Sequence, residues 1–362
     1  MSRLAALVWP DPYLIAPATV TRHQRPATSL VDRLGTLAAM ALLVLAVALP
    51  WVEQARLDER ETVARATTDT ADGHPTLPVG RETLLAAYAG APWYYRGNVR
   101  FQRPDGTDLL LKGVGWDGDA LYFPLDGGAR SVSWRGRFGH MVDFLHNKAI
   151  ARLGKGAHGR RISNGVIETV DATGTWKGEP APPRIKLTDL LERMEFTHGH
   201  NMLFATGLMR LASVTPRLMP YVGVGVGAAL PHVEVWIAGE GEEKKTNEYQ
   251  YAGPAAQFVA GLEFRRGKAS YFIEYKASIA WIKGGFTAGK SSDTSKVLRT
   301  NLPRWLVEPF IGLSEFPGDM WRQASRWWRG EAPKYGTFGT TLAAHQVVVG
   351  AGYWWQRGPA AP

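Results

Sequence analysis

His232 and Glu234 stand two residues apart, directly after Pro231. On a β-strand that spacing sends both side chains off one face, within reach of a common ion. Imidazole nitrogen with carboxylate oxygen suits a divalent first-row metal. His146, His198, His200 and Asp143 are further candidate ligands, all expected near the same external rim. The plainer reading makes them rim residues that hydrogen-bond to neighbours. Glu274, Asp143 and Lys276 form a second group, suited to acid–base catalysis, with Arg130 and Gln257 beside them as substrate contacts. The commoner role of such charges inside a lipid-embedded fold is a structural ion-pair network. Arg160 and Arg161 are basic loop residues able to grip phosphate or sugar, or are simply solvated. The alternating glycines of 223–227 are no nucleotide fingerprint, because no helix follows them.

The elements that must position these groups are short segments of period-two alternation at 83–93, 108–116, 129–135, 139–152, 201–211, 221–236, 249–265, 269–283 and 341–355. Their alternation is inverted for a water-soluble sandwich. Val222, Val224 and Val226 share one face with glycines on the other; Ile273, Tyr275, Ile279 and Trp281 oppose Glu274, Lys276 and Ser278. A large apolar face and a small polar one suit a narrow transmembrane barrel with lipid outside. Tyr221 with Trp236, Tyr271 with Trp281, and Tyr353 to Trp355 read as interfacial girdles. Connections alternate between short (135–138, 212–220, 265–269) and long (153–200, 238–248, 284–340), as periplasmic turns and external loops do. Assigning 108–116 to an external hairpin leaves an all-β, eight-stranded antiparallel barrel, ten being the other even count. The last long loop holds a basic, Trp-rich stretch at 303–329, suited to a membrane surface or to packing over the barrel mouth.

The chain has 362 residues, with 42 Lys and Arg against 33 Asp and Glu, a net charge of +9. The absence of cysteine excludes disulfides, thiolate metal sites and cysteine nucleophiles. A mean hydropathy of −0.18 excludes a polytopic helical membrane protein. Residues 34–52 carry no charge and follow Arg3, Arg22, Arg25 and Arg33, so 1–52 reads as an export leader whose apolar segment is a cleaved signal or a retained anchor. Residues 53–80 read as a flexible linker, 81–355 as the barrel with 284–340 inserted as an external loop, and 356–362 as a tail.

Several phrases in fixed order resemble the lipid A oxidase family: GWDG at 115–118, VDFLHNK at 142–148, MEFTHGHN at 194–201, PYVGVGVG at 220–227 leading to PHVEV at 231–235, YQYAGPAAQ at 249–257 and FIEYK at 272–276. The resemblance covers about 83–283 and 341–355. It implies a small outer-membrane β-barrel that uses molecular oxygen to oxidise the proximal glucosamine of 1-dephosphorylated lipid A to 2-aminogluconate. It assigns no catalytic residues. The extension to residue 80 and the 284–340 insertion exceed the family norm, and the segment before Arg130 lacks an expected aromatic pair. Oxygen does not oxidise a hemiacetal without a metal, an organic cofactor or a radical route, so a divalent metal on the histidines is the economical cofactor. Glu274, inside a matching phrase, is the first choice of base. The resemblance further implies integral residence in a bacterial outer membrane. Lipopolysaccharide, the bilayer and the barrel-assembly machinery are the expected partners, with no nucleic acid, and the chain is expected to be monomeric. A structural or adhesive barrel without enzymatic activity is the alternative. A membrane-anchored periplasmic barrel that binds lipid is a third reading.

Overall fold

The computed structural model describes residues 81–120, 125–156, 161–211, 217–288 and 304–357. The leader (1–52), the linker (53–80), Arg160 and residues 358–362 lie outside these segments. The strands in chain order are β1 (Arg81–Tyr94), β2 (Gly97–Gln102), β3 (Asp108–Val114), β4 (Trp116–Asp117), β5 (Gly127–Arg135), β6 (Phe138–Ala151), β7 (Thr169–Trp176), β8 (Glu179–Pro180), β9 (Arg184–Lys186), β10 (Leu191–Arg210), β11 (Leu218–Ala229), β12 (His232–Ile237), β13 (Thr246–Tyr249), β14 (Gly253–Arg266), β15 (Ala269–Gly285) and β16 (Thr337–Arg357). One long helix, Arg304–Trp328, lies between β15 and β16. No helix among the described residues is long and apolar enough to cross a membrane, which says nothing of strands.

Eight strands close into an antiparallel ring in the order β1, β5, β6, β10, β11, β14, β15, β16, with β16 pairing back to β1 from Arg81↔Arg357 to Tyr94↔Ala344. The ring thus has eight strands and not ten. The 108–116 segment, as β3, pairs with β2 and β7 beyond the ring. Three close connections and both described chain ends lie at one mouth; the four long connections lie at the other. The last strand runs to Arg357, so it takes in the first two residues read as tail.

The inverted alternation holds in three dimensions. Leu85, Val224, Val226, Phe258, Ile273, Val347 and Val349 face outward and are exposed, while Glu274, Lys276, Asp143, Arg130 and Gln257 are buried inside. Outward aromatics mark two rims: Tyr271, Tyr353 and Trp355 at the short-turn mouth, and Trp93, Tyr95 and Trp281 at the other. On β16, the ten residue steps from His345, which packs against Trp93, to Trp355 span about 25 Å at about 3.3 Å per step and a tilt of about 40°. Three expected girdle residues lie elsewhere. Tyr221 and Trp354 are buried in the lumen, because each carries a polar atom that a lumen carboxylate binds: Tyr221 OH donates to Glu274 (2.6 Å) and Trp354 Nε1 to Glu263 (2.9 Å). Trp236 sits on β12, beyond the ring.

Charge inside so narrow a space has to be paired. In the middle layer Lys276 bridges Asp143 and Glu274, the latter at 3.1 Å, while Arg130 binds Glu274 at 2.8 Å. Tyr88 OH donates to Asp143 at 2.8 Å, and Gln257 reaches Asp143 and Thr206. Nearer the short turns, Glu82 binds both Arg210 and Arg265 at 2.7 Å, and Arg265 also binds Glu263. Rings fill the remainder by lying across glycines of the adjacent strand, as in the pairs Tyr221↔Gly261 and Phe272↔Gly350. A methyl group on Gly261 would come within 2.3 Å of the Tyr221 ring. The lumen cavity between Leu84, Arg130, Trp134 and Phe272 is about 10 Å³, room for one water at most.

Several strands differ from their sequence-based bounds. The 221–236 segment breaks at Leu230 and Pro231, where Pro231 offers no N–H, into β11 and β12. The 249–265 segment likewise divides into β13 and β14, with Gly253 at φ +142°. The 153–200 loop contains β7, β8, β9 and the first half of β10. These external strands extend the buried apolar cluster beyond the ring, with Phe101, Leu111, Trp116, Phe196 and Val233 packed there.

Removing the cation shared by two buried carboxylates is expected to cost about 3–5 kcal/mol. Lys276→Met should therefore lower the urea midpoint of the detergent-folded ring, read from its heat-modifiable gel migration. An unchanged midpoint would show that Asp143 and Glu274 do not depend on Lys276.

Candidate functional site

β12 alternates cleanly. Val233, Val235 and Ile237 join the buried apolar cluster, which leaves His232 and Glu234 together on the opposite face. That face meets the outer part of β10. Residues Leu191–Glu195 there pair with β12, whereas Met202–Arg210 pair with β11. Between the two stretches the register to β6 shifts from Phe196 to His200, with Gly199 at φ +124°. The bulge turns His198 toward Glu234 and leaves His200 on Tyr94.

Ligand atoms of His198, His232 and Glu234 all lie within 4.8 Å of one another. His198 Nδ1 donates to Glu234 Oε1 at 2.8 Å, and His232 Nδ1 lies 3.9 Å from the same oxygen. Arg193 and Lys245 approach Glu234 Oε2 at 2.9 and 3.4 Å. The His232 ring sits edge-on between His198 and Tyr249, with centroids 4.8 and 4.6 Å away. His232 and Glu234 are buried; His198, Arg193 and Lys245 are partly exposed and form the open, basic edge of the cluster. Two imidazoles and one carboxylate are a donor set that a divalent first-row ion accepts.

The electrostatics separate two neighbouring carboxylates. Burial pushes Glu234 upward, but the hydrogen bond from His198 and the positive charge of His198, His232 and Lys245 hold it well below the usual carboxylate range. Glu195, opposite Glu234 in register, is raised to about 7 by burial and by the charge of Glu234, against the pull of Arg193.

The other expected site residues are distributed differently. His146 and His200 stay outside the cluster: His146 Nδ1 bonds Asn201 Oδ1 at 2.8 Å, and His200 Nδ1 meets Tyr94 OH at 3.1 Å. Asp143 lies in the mid-lumen beside Lys276 and not at the external rim, because its strand position is only five residues from the short β5–β6 turn. Glu274, Asp143 and Lys276 do converge, with Arg130 and Gln257 around them, as one enclosed network. Arg161 donates to the Asn164 carbonyl at 2.5 Å, and Arg160 is outside the described residues. Sequence reasoning passed over Arg193 and Glu195 as site residues. Their one signal was position, since Glu195 is the second residue of the MEFTHGHN phrase and Arg193 immediately precedes that phrase.

No family model matches the chain, and no curated protein matches it. Among solved structures, Neisserial surface protein A is similar, at 7% identity and a TM-score of 0.26, over 75% of this chain and 96% of that one.

The raised Glu195 carboxyl fixes a sign. The folded chain holds this proton more tightly than the unfolded chain, whose carboxyl titrates near 4.5. The Glu195 contribution to the stability of the external extension should thus be fully present below about 4.5 and be lost as pH climbs to about 7. Glu234, with a lowered value, acts in a separate window below 4.5, where its contribution is lost on acidification. Hydrogen exchange of the 191–197 and 232–237 amides in chelator-treated protein, corrected for intrinsic rates, should show protection falling from about pH 5.5 to about pH 7.5. Glu195→Gln should flatten that trend.

Proposed function

We propose that the chain is an integral β-barrel of a bacterial outer membrane and an oxidoreductase of lipid A. In this reading it uses molecular oxygen to oxidise the proximal glucosamine of 1-dephosphorylated lipid A to 2-aminogluconate. The observation that carries the enzymatic part is the convergence of His198, His232 and Glu234 beyond one mouth of the ring. The membrane part is supported by the outward apolar belt, the two aromatic rims about 25 Å apart and the paired lumen charges. With the long connections outside, the cluster lies four residues of β10 past Met202, at headgroup height, where the proximal sugar of the glycolipid sits.

The reaction balances as hemiacetal plus oxygen plus water giving carboxylic acid plus hydrogen peroxide. The sugar loses its C1 hydrogen and its O1 proton as two protons and two electrons, which convert oxygen to hydrogen peroxide, and water opens the resulting lactone to the acid. A divalent metal held by His198, His232 and Glu234 would supply the route by which triplet oxygen accepts those electrons. Arg193 and Lys245 line the open edge and favour an anionic glycolipid. Burial of His232 and Glu234 against Tyr249 keeps them fixed as the substrate arrives. Glu274, Asp143 and Lys276 hold the ring shut beneath the site.

A structural or adhesive barrel is the second reading, favoured by the complete engagement of Glu274, Asp143 and Lys276 in ion pairs. Mass spectrometry of lipid A from cells making the 1-dephosphorylated form separates the two. The oxidase reading expects an aerobic product one oxygen atom heavier, with the change on the proximal sugar, and no such product without oxygen. The variant combining His232→Ala with Glu234→Gln, folded by gel shift, should abolish it and should lose the roughly one equivalent of iron or manganese retained by the purified parent. Persistence of the heavier species in that variant would remove the cluster from the mechanism. An unchanged profile with the parent chain would leave the structural barrel.

A further inference from the structure

The helix Arg304–Trp328 reverses the usual arrangement of an amphipathic helix. Its described side chains begin at Ser314. The side turned to the protein carries Phe316, which packs on Tyr249, and otherwise polar groups. Asp319 Oδ2 accepts from the Tyr249 N–H at 2.7 Å, and Gln323 accepts from the Tyr251 N–H and donates back to its carbonyl, at 2.7 and 2.9 Å. Arg326 binds Glu248 at 3.0 Å. Among the described residues β13 pairs only with β12; Asp319 caps its open edge at Tyr249, and Gln323 satisfies the backbone of Tyr251 just past it. The side turned away carries two exposed tryptophans, with arginines on its flank. Trp321 is 75% exposed and Trp328 83%, two turns apart on one stripe, each followed by an exposed arginine, Arg322 and Arg329. Arg322 pairs with Asp319 and Arg329 with Glu331, and a guanidinium has five donors, so each pair leaves N–H groups for a second anion.

The height of the helix indicates what covers this stripe. Tyr251 is two residues before β14, which starts at Gly253 against the carbonyl of Trp281, an outward residue of the external rim. The helix is therefore bonded to the chain just beyond the external rim, with the stripe on its outer side. Indole beside guanidinium is the chemistry of a lipid headgroup zone. We propose that Trp321 and Trp328 insert into the surface of the outer leaflet, with Arg322 and Arg329 on lipid phosphates, so that the helix anchors the external hairpin that carries His232 and Glu234. The proposal rests on the membrane-spanning reading of the ring and is independent of the oxidation.

Because the chain lacks cysteine, Trp321→Cys and Trp328→Cys each create a single labelling site in the full chain. Each variant carries an environment-sensitive fluorophore and is reconstituted into phosphatidylcholine vesicles containing phosphatidylglycerol. Val349→Cys, on the outward ring face, and Glu179→Cys, on exposed β8, are the references. The probes at 321 and 328 should be quenched about twofold by headgroup-level nitroxide lipid, at the 5–10 Å depth of an interfacial helix. Val349 should be quenched by acyl-chain nitroxide, and Glu179 by neither. Probes at 321 and 328 that behave like Glu179, while Val349 is quenched, overturn the anchor alone. An unquenched Val349 overturns the membrane reading beneath it. Shielding at 321 and 328 that follows the protein-to-lipid ratio, without nitroxide quenching, assigns the stripe to a second copy and overturns the proposal as well.

Discussion

A ring of eight strands leaves a lumen too narrow to hydrate charge, so each charge inside it must meet its opposite there. Lys276 between Asp143 and Glu274 is the centre of that constraint. Their partners come from all around the ring: Tyr88 on β1, Arg130 on β5, Thr206 on β10, Tyr221 on β11 and Gln257 on β14. A slip of one residue in any of these strands would turn its polar face outward and its apolar face in. The network is thus a register lock as well as a set of ion pairs. The rings that lie over Gly261 and Gly350 enforce the same register sterically, because each fits only opposite its own glycine.

The cluster beyond the ring uses the same residue types to another end. In the lumen, carboxylate and cation are enclosed on every side. Around Glu234, burial is complete for His232 and the carboxylate but not for His198, Arg193 and Lys245, which leaves an edge where a ligand can enter. That asymmetry arises because β12 turns Val233, Val235 and Ile237 into the buried apolar cluster and so has its other face to spare. The ring supplies the base, the external part of the apolar cluster supplies the wall, and the bulge at Gly199 brings His198 to Glu234.

Inverted patterning recurs in the long helix. Its polar side chains serve the backbone of the β13 edge and of Tyr251, and Phe316 packs on Tyr249, whose ring in turn backs His232. A single chain of contacts joins the exposed tryptophan stripe to the cluster. Movement of the helix would be felt at His232 through one aromatic ring.

Period-two alternation in the sequence was enough to tell which residues share a face. It gave Glu274 and Lys276 inside, Val224 and Ile273 outside, and His232 beside Glu234; the alternation of connection lengths gave the number of ring strands and the mouth that bears the long loops. Alternation is a local property of extended backbone, so it survives without knowledge of neighbours. It carries no information about height along the ring or about what lies across it. The tertiary structure therefore decided that Asp143 is deep in the lumen, that Tyr221 and Trp354 turn inward to carboxylates on other strands, and that His198 joins Glu234 while His200 does not. Those outcomes depend on the stagger between strands, on one bulge and on closure of the ring, each of which is set only when distant segments pair.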